Sequence, residues 1–203
     1  MAAPRPAGAS SRSTEPWAII GYLVFVTIGG VLVFLFAWSL GPAVRKQAGA
    51  ACRELTPEAR DIPAPDFEFA HRDGTAGRFS DYRGKFVVVN FWATWCEPCA
   101  REWPELDRLA RRFADRDDVA VLAVSVDESM ADAEGFLAKM AISDTPAVVV
   151  HDPSKAANRL FGSEKLPDTF FVDRSGQIID AFINVRKWGS QGAFHCVEQR
   201  ASE

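Results

Sequence analysis

The sequence predicts an α/β fold, a central mixed sheet flanked by helices, with an N-terminal transmembrane helix ahead of it. Three features of the 203 residues carry that prediction. The stretch from Trp17 to Leu40 has no charged side chain. From Phe86 onward, apolar runs of strand length alternate with segments whose apolar residues recur every three or four positions. Two late apolar runs are joined by Asp173-Arg174-Ser175-Gly176-Gln177, a hairpin signal, which makes the sheet mixed.

Residues 1–16, rich in Ala, Pro, Ser and Arg, read as a short disordered tail. Residues 17–40 wound as a helix would measure about 36 Å, against about 30 Å of membrane hydrocarbon. Trp17 and Tyr22 toward one end and Trp38 toward the other suit the two interfaces. A cleaved signal peptide is the alternative, but its apolar region runs to only about 7–15 residues. Arg5 and Arg12 before the span nearly balance Arg45, Lys46 and Arg53 after it, so the positive-inside rule gives no orientation. Residues 41–62, polar and proline-containing, read as a tether, and 63–203 as the folded domain.

Within that domain, residues 66–69 and 77–79 form short strand-like pieces about the turn His71-Arg72-Asp73-Gly74, a small hairpin. Residues 86–92 are the first long buried strand. Residues 100–113 form a helix, with Trp103, Leu106, Ala110 and Phe113 on one face. Residues 119–126, nearly all apolar, suit an inner strand covered on both faces. A helix follows over 129–140, a short strand over 147–150 and a short helix over 154–161. The hairpin strands are 169–172 and 178–183, and a closing helix over 188–199 is weakened by Gly189 and Gly192.

The chemistry centres on Trp95-Cys96-Glu97-Pro98-Cys99, where the first long strand hands over to its helix. Two thiols two residues apart at a helix N-terminus can close and reopen a small disulfide ring. Cys96 would lie among unpaired backbone N–H groups at the positive end of the helix dipole, which stabilise a thiolate. Lowering its pKa from about 8.5 to about 7 is worth roughly 2 kcal/mol. Cys99, one turn inside, is the resolving thiol. Half of a zinc site would need a second ligand pair, yet Cys52 and Cys196 are isolated and His71, His151 and His195 show no ligand spacing. Covalent haem attachment would need His at position 100, which is Ala. A purely structural disulfide is a further alternative, but strand, C-x-x-C and helix together are the signature of a thioredoxin-like redox site. No metal is expected, and no cofactor beyond the redox-active pair Cys96–Cys99.

Residues 1–62 carry six Lys/Arg against four Asp/Glu, and 63–203 carry 17 against 23. A mildly acidic domain without a basic stripe argues against nucleic acid as a partner. Leu166-Pro167-Asp168-Thr169-Phe170 places a proline where a strand begins. A cis bond there would free backbone groups to pair with an extended substrate peptide.

Four stretches together resemble the membrane-anchored TlpA/ResA-like branch of the thioredoxin superfamily. They are Ala64-Pro65-Asp66-Phe67, residues 90–99, Arg101-Glu102-Trp103-Pro104-Glu105-Leu106, and residues 167–173. The resemblance covers 65 to about 185 and is weak over the last thirty residues. It implies a thioredoxin fold, an extracytoplasmic or periplasmic domain, and cis geometry at Pro167. It also implies reduction of disulfides in client proteins, of the cytochrome c maturation or copper-oxidase assembly type, fed by a membrane electron donor of the DsbD/CcdA type. Trp95, Glu97, Pro98, Leu166 and Pro167 are then the substrate-facing residues. Glu102 resembles the acid that assists proton movement at the thiols; an exposed first-turns glutamate is the alternative. Asn90 stands where cytosolic thioredoxins place a buried aspartate, and an amide cannot act as a base. Glu97, beside Cys96, should oppose thiolate formation. In an oxidising compartment, Cys52 and Cys196 are candidates for a structural disulfide; free thiols or a bridge between chains are the alternatives. Rival readings are a disulfide-donating oxidase using the same motif, a copper-binding chaperone using the dithiol as soft ligands, and a redox-inactive binding module.

Overall fold

The computed structural model describes residues 16–48 and 51–203, as an N-terminal helix and a folded domain. The expected tail falls, up to residue 15, outside the described residues, as do residues 49 and 50 of the expected tether. Helix α1, Pro16–Ala48, is longer than the apolar run that predicts it. Pro16 suits a first helical position, where its missing N–H would have no intrahelical partner anyway. The stretch Ile19–Phe36 is long and apolar enough to cross a membrane. Within it, the Thr27 hydroxyl donates back to the Leu23 and Val24 carbonyls, so that polar group is satisfied inside the helix.

In the domain, Cys52 is followed by a 3-10 turn, Arg53–Leu55, and by strand β1, Glu58–Pro63. From the sequence these residues belong to the tether. All six residues of β1 are exposed, so no apolar alternation marks it. It is a strand because its backbone pairs antiparallel with β8, Gln177–Ile183, at the sheet edge. The hairpin is β2, Glu68–His71, and β3, Ala76–Arg78. Then come β4, Phe86–Trp92; α2, Glu97–Arg112; β5, Val119–Ser125; and α3, Met130–Lys139. The chain continues through β6, Val148–His151; α4, Ala157–Leu160; β7, Asp168–Val172; and, after β8, α5, Gln191–Ala201.

The eight strands lie in the order β1-β8-β7-β4-β5-β6-β2-β3. β4, β5 and β6 run parallel, and β7 and β8 return antiparallel on the other side of β4. Side chains of β4 alternate: Phe86, Val88 and Trp92 join one apolar core, Val87, Val89 and Phe91 the other. The first core is filled by Trp103, Leu106 and Leu109 of α2, Leu137 of α3 and Val197 of α5. The second is closed by α4 and the rings of Phe67, Phe69, Phe79 and Phe161. Helices thus cover both faces, unequally.

The closing helix begins later than the sequence indicates. Ser190 caps it, its hydroxyl accepting the Ala193 N–H at 3.1 Å. Gly189 stays outside, where a Cβ would meet the Arg108 and Glu105 side chains at 2.4 and 2.6 Å. Both glycines mark close approach of neighbouring chain, which explains residues that propensity alone disfavours in a helix.

Candidate active site

The alternation along β4 puts Asn90 on the α2 side of the sheet, and β4 ends two residues before Thr94-Trp95-Cys96. Cys96 is the N-cap of α2, in extended conformation, and Pro98 lies in the helix's first turn. The Cys99 backbone N–H donates to Cys96 Sγ at 3.2 Å. Cys96 and Cys99 are disulfide-bonded, so this is the oxidised form. Cys96 is 6% exposed and Cys99 1%. Only Cys96 reaches a groove of about 780 Å³, lined also by Trp95, Glu97, Pro98, Lys165, Leu166 and Asn184.

Most of the substrate-facing residues expected from the sequence meet there. Trp95 is 71% exposed beside the sulfur. Leu166 lines the opposite wall, and the Leu166–Pro167 peptide is cis, with Pro167 itself buried at the start of β7. Glu97 differs from its expected role in one respect: its carboxylate is ion-paired with Arg101 one turn along α2. That pairing offsets its effect on the neighbouring sulfur.

Glu102 is not an exposed surface acid. It is 2% exposed, on the α2 face one turn beyond Cys99. Its Oε2 accepts from Asn90 Nδ2 at 3.1 Å; its Oε1 accepts from the Arg186 N–H at 2.7 Å and Trp188 Nε1 at 2.9 Å. Burial pushes its carboxyl up to about 7, against the opposing pull of those three donors. Asn90 also donates to Thr169 Oγ1 at 2.9 Å across the β4–β7 pairing, so the amide ties the acid to the strand behind Pro167.

Several residues that shape the site escaped the sequence reading. Asp127, buried at the end of β5, accepts the Thr94 N–H at 3.0 Å and the Thr94 and Ser125 hydroxyls at 2.8 Å each. It fixes the loop that delivers Cys96. Asp168 holds the groove's other wall, accepting from Ser163 Oγ at 2.7 Å and the Asn184 N–H at 3.1 Å, and burial raises its carboxyl. A carboxylate just past an otherwise apolar run is the only sequence signal Asp127 offers. Arg186 offers none, because its contact to Glu102 is made by backbone. Cys52 and Cys196 are joined in a second disulfide, both fully buried and outside the groove. Among the described residues, no group of three or more His, Cys, Asp or Glu is placed to hold a metal ion.

A sequence profile of the AhpC/TSA family matches residues 61–181. The chain is 36% identical over 125 residues to the thiol-disulfide oxidoreductase ResA of Geobacillus thermodenitrificans, covering 62% of this chain and 70% of that protein. To ResA of Bacillus subtilis it is 30% identical over 156 residues, 77% of this chain and 82% of the relative. Among solved structures, a protein from Chlorobium tepidum assigned as thiol:disulfide interchange protein DsbE superposes with a TM-score of 0.60 at 28% identity. That match covers 70% of this chain and 97% of the other. A thioredoxin-family thiol:disulfide interchange protein, also from Chlorobium tepidum, shares the fold at a TM-score of 0.58 and 24% identity, over 71% and 99% of the two chains.

Proposed function

The chain belongs to the AhpC/TSA family and is a thioredoxin-like thiol-disulfide oxidoreductase similar to ResA, and from that premise we propose that it is a membrane-tethered reductant of disulfides in extracytoplasmic client proteins. One observation carries the proposal: Cys96 Sγ sits at the N-cap of α2, accepts a backbone N–H, and is the one sulfur of the pair that lines the groove. After reduction the same N–H and the helix end stabilise a Cys96 thiolate. That thiolate attacks one sulfur of the client disulfide; the client S–S bond breaks, its second sulfur leaves as a thiolate and takes a proton, and a mixed disulfide forms. Cys99 then gives up its proton, with Glu102 as the relay, and attacks Cys96 Sγ. The Cys96–Cys99 bond forms and the second client thiol departs, two electrons having passed to the client. Trp95, Pro98, Leu166 and Pro167 hold the client segment, and Glu97 borders it.

α1 is the anchor, with 63–203 as the catalytic domain outside the cytoplasm, and a membrane electron donor of the DsbD/CcdA type restores the dithiol. Cytochrome c maturation or copper-oxidase assembly is the client class. No bound cofactor takes part; the redox group is the Cys96–Cys99 pair itself.

The test is substitution of each sulfur in the full chain. Cys96→Ser should abolish reduction of insulin disulfides, whereas Cys99→Ser should accumulate mixed disulfides on non-reducing gels. Turnover by the Cys96 variant would overturn the assignment of the nucleophile. The direction is read from the reduction potential: a value near −270 mV marks a reductant, and one near −120 mV would make the protein a disulfide donor.

A further inference from the structure

Both hydrogen bonds to Glu102 Oε1 come from one short strap, residues 184–190, which leads from β8 to α5. Glu105, the next α2 acid along, accepts the Gly189 N–H of the same strap at 2.9 Å. Asn184, in the left-handed region at φ 68°, turns the chain out of β8. The Arg186 side chain is spent entirely on other groups. Its guanidinium donates to the carbonyls of Leu55 at 2.6 Å, Ile183 at 2.8 Å, Asn184 at 3.2 Å and Val185 at 3.0 Å, and to Thr56 Oγ1 at 3.3 Å.

Leu55 and Thr56 end the 3-10 turn that follows Cys52, and Cys52 is bonded to Cys196 of α5. Glu54 of that turn lies over the first turn of α5 at Gly192, where a Cβ would meet its carboxylate at 2.4 Å. The contacts close on themselves. The bridge fixes the turn to α5, the turn holds Arg186, and Arg186 holds the strap that α5 continues.

We propose that Arg186 is a positioning residue for Glu102, and that the Cys52–Cys196 bridge acts on the redox site through it, by seating the strap on the buried carboxyl and keeping water out. The proposal rests on Glu102 serving the dithiol, as argued above. The groups facing Glu102 are Asn90 from β4, Arg186 and Trp188 from the strap, and the Cys96–Cys99 pair and Glu105 on its own helix. Glu105 is engaged by Gly189 and Arg108. The Arg186 charge favours the ionised form of Glu102; burial, which favours the neutral form, is the larger influence.

Charge and fixation therefore predict opposite shifts. Removing the charge alone would raise the Glu102 midpoint. Loosening the strap would hydrate the carboxyl, with water replacing the two strap donors, and because burial is the larger influence the midpoint would fall. Arg186→Lys keeps the charge but loses the planar five-donor fork. A Cys52→Ala/Cys196→Ala double variant leaves every group around Glu102 chemically unchanged.

The experiment is the pH dependence of Cys96 alkylation by iodoacetamide in the reduced, detergent-solubilised full chain. The Glu102-dependent limb is expected to move down from its parent position by more than about one pH unit in both variants. In a Glu102→Gln background the same substitutions should move nothing. A lowered melting temperature with the limb unmoved would make bridge and arginine purely structural and overturn the inference. If the double cysteine variant does not fold, Arg186→Lys, with the bridge intact, decides alone. A parent profile that Glu102→Gln leaves unchanged would overturn the role of Glu102 itself, and this inference with it. A limb present but fixed in Arg186→Lys would overturn this inference alone.

Discussion

At Glu102, three N–H donors favour the carboxylate while the surrounding core favours the neutral acid, and the core wins by enough to bring the group up to about 7. In the unfolded chain the same carboxyl titrates near 4.5. The folded state therefore binds the proton more tightly. Its contribution to stability is complete below about 4.5 and is lost as pH rises through about 7, a span of about 3 kcal/mol. Glu102→Gln stays neutral throughout. Its amide oxygen can accept from the strap, and its NH2 can meet the Asn90 oxygen once that amide turns and Thr169 donates its hydroxyl. Urea unfolding at pH 5 and pH 8 should show the parent losing stability between the two, and the variant losing markedly less. Equal losses would mean that the acid is ionised across the whole range and cannot relay a proton near neutrality.

At the scale of elements, α5 is tied to the rest of the domain at three points: the bridge at Cys196, the strap at its start and a buried ion pair near its end. Arg200 pairs with Asp180 of β8, Nε to Oδ2 at 2.8 Å and a second nitrogen to Oδ1 at 3.0 Å, with Asp180 fully buried. Burial raises the Asp180 carboxyl despite the guanidinium. Arg200→Ala would strand a buried acid, and such breaks typically cost about 3–5 kcal/mol. Replacing both partners, as in Asp180→Leu with Arg200→Leu, should recover most of that loss in chemical denaturation; a double variant as unstable as the single would mean that the pair is worth its full burial. This helix also marks the limit of what the sequence makes legible. β4, β5 and α2 are written in local apolar period, and the C-x-x-C pair in local spacing, so both are readable. β1 is not, because a fully exposed edge strand has no pattern and owes its existence to β8. Gly189 and Gly192 argue against a helix in isolation, but each makes room for an acid from a distant segment. The hold on Glu102 was hidden for the same reason: it is made by a backbone N–H and an indole some eighty residues along the chain.

At the scale of the whole molecule, the dithiol, its groove, Glu102, the strap and both disulfides all lie within residues 51–203. That unit has a sheet with two filled faces, each filled by residues of the unit itself. α1 in turn has side chains that are exposed among the described residues and apolar, which suits lipid and not water. Under the proposed function, one unit supplies the chemistry and α1 the address. A chain lacking residues 1–48 should fold as a soluble domain and reduce a small soluble disulfide with unchanged kcat. The full chain should sediment with membranes, the shortened one should not. Against a disulfide held at the membrane surface the shortened chain should fall behind, by 10²-fold or more where tethering supplies millimolar effective concentration. Loss of activity on the soluble disulfide would place part of the redox site outside residues 51–203. Equal rates on the membrane-held disulfide would leave α1 without a kinetic purpose, and the proposed tethered reductant would give way to a freely diffusing one.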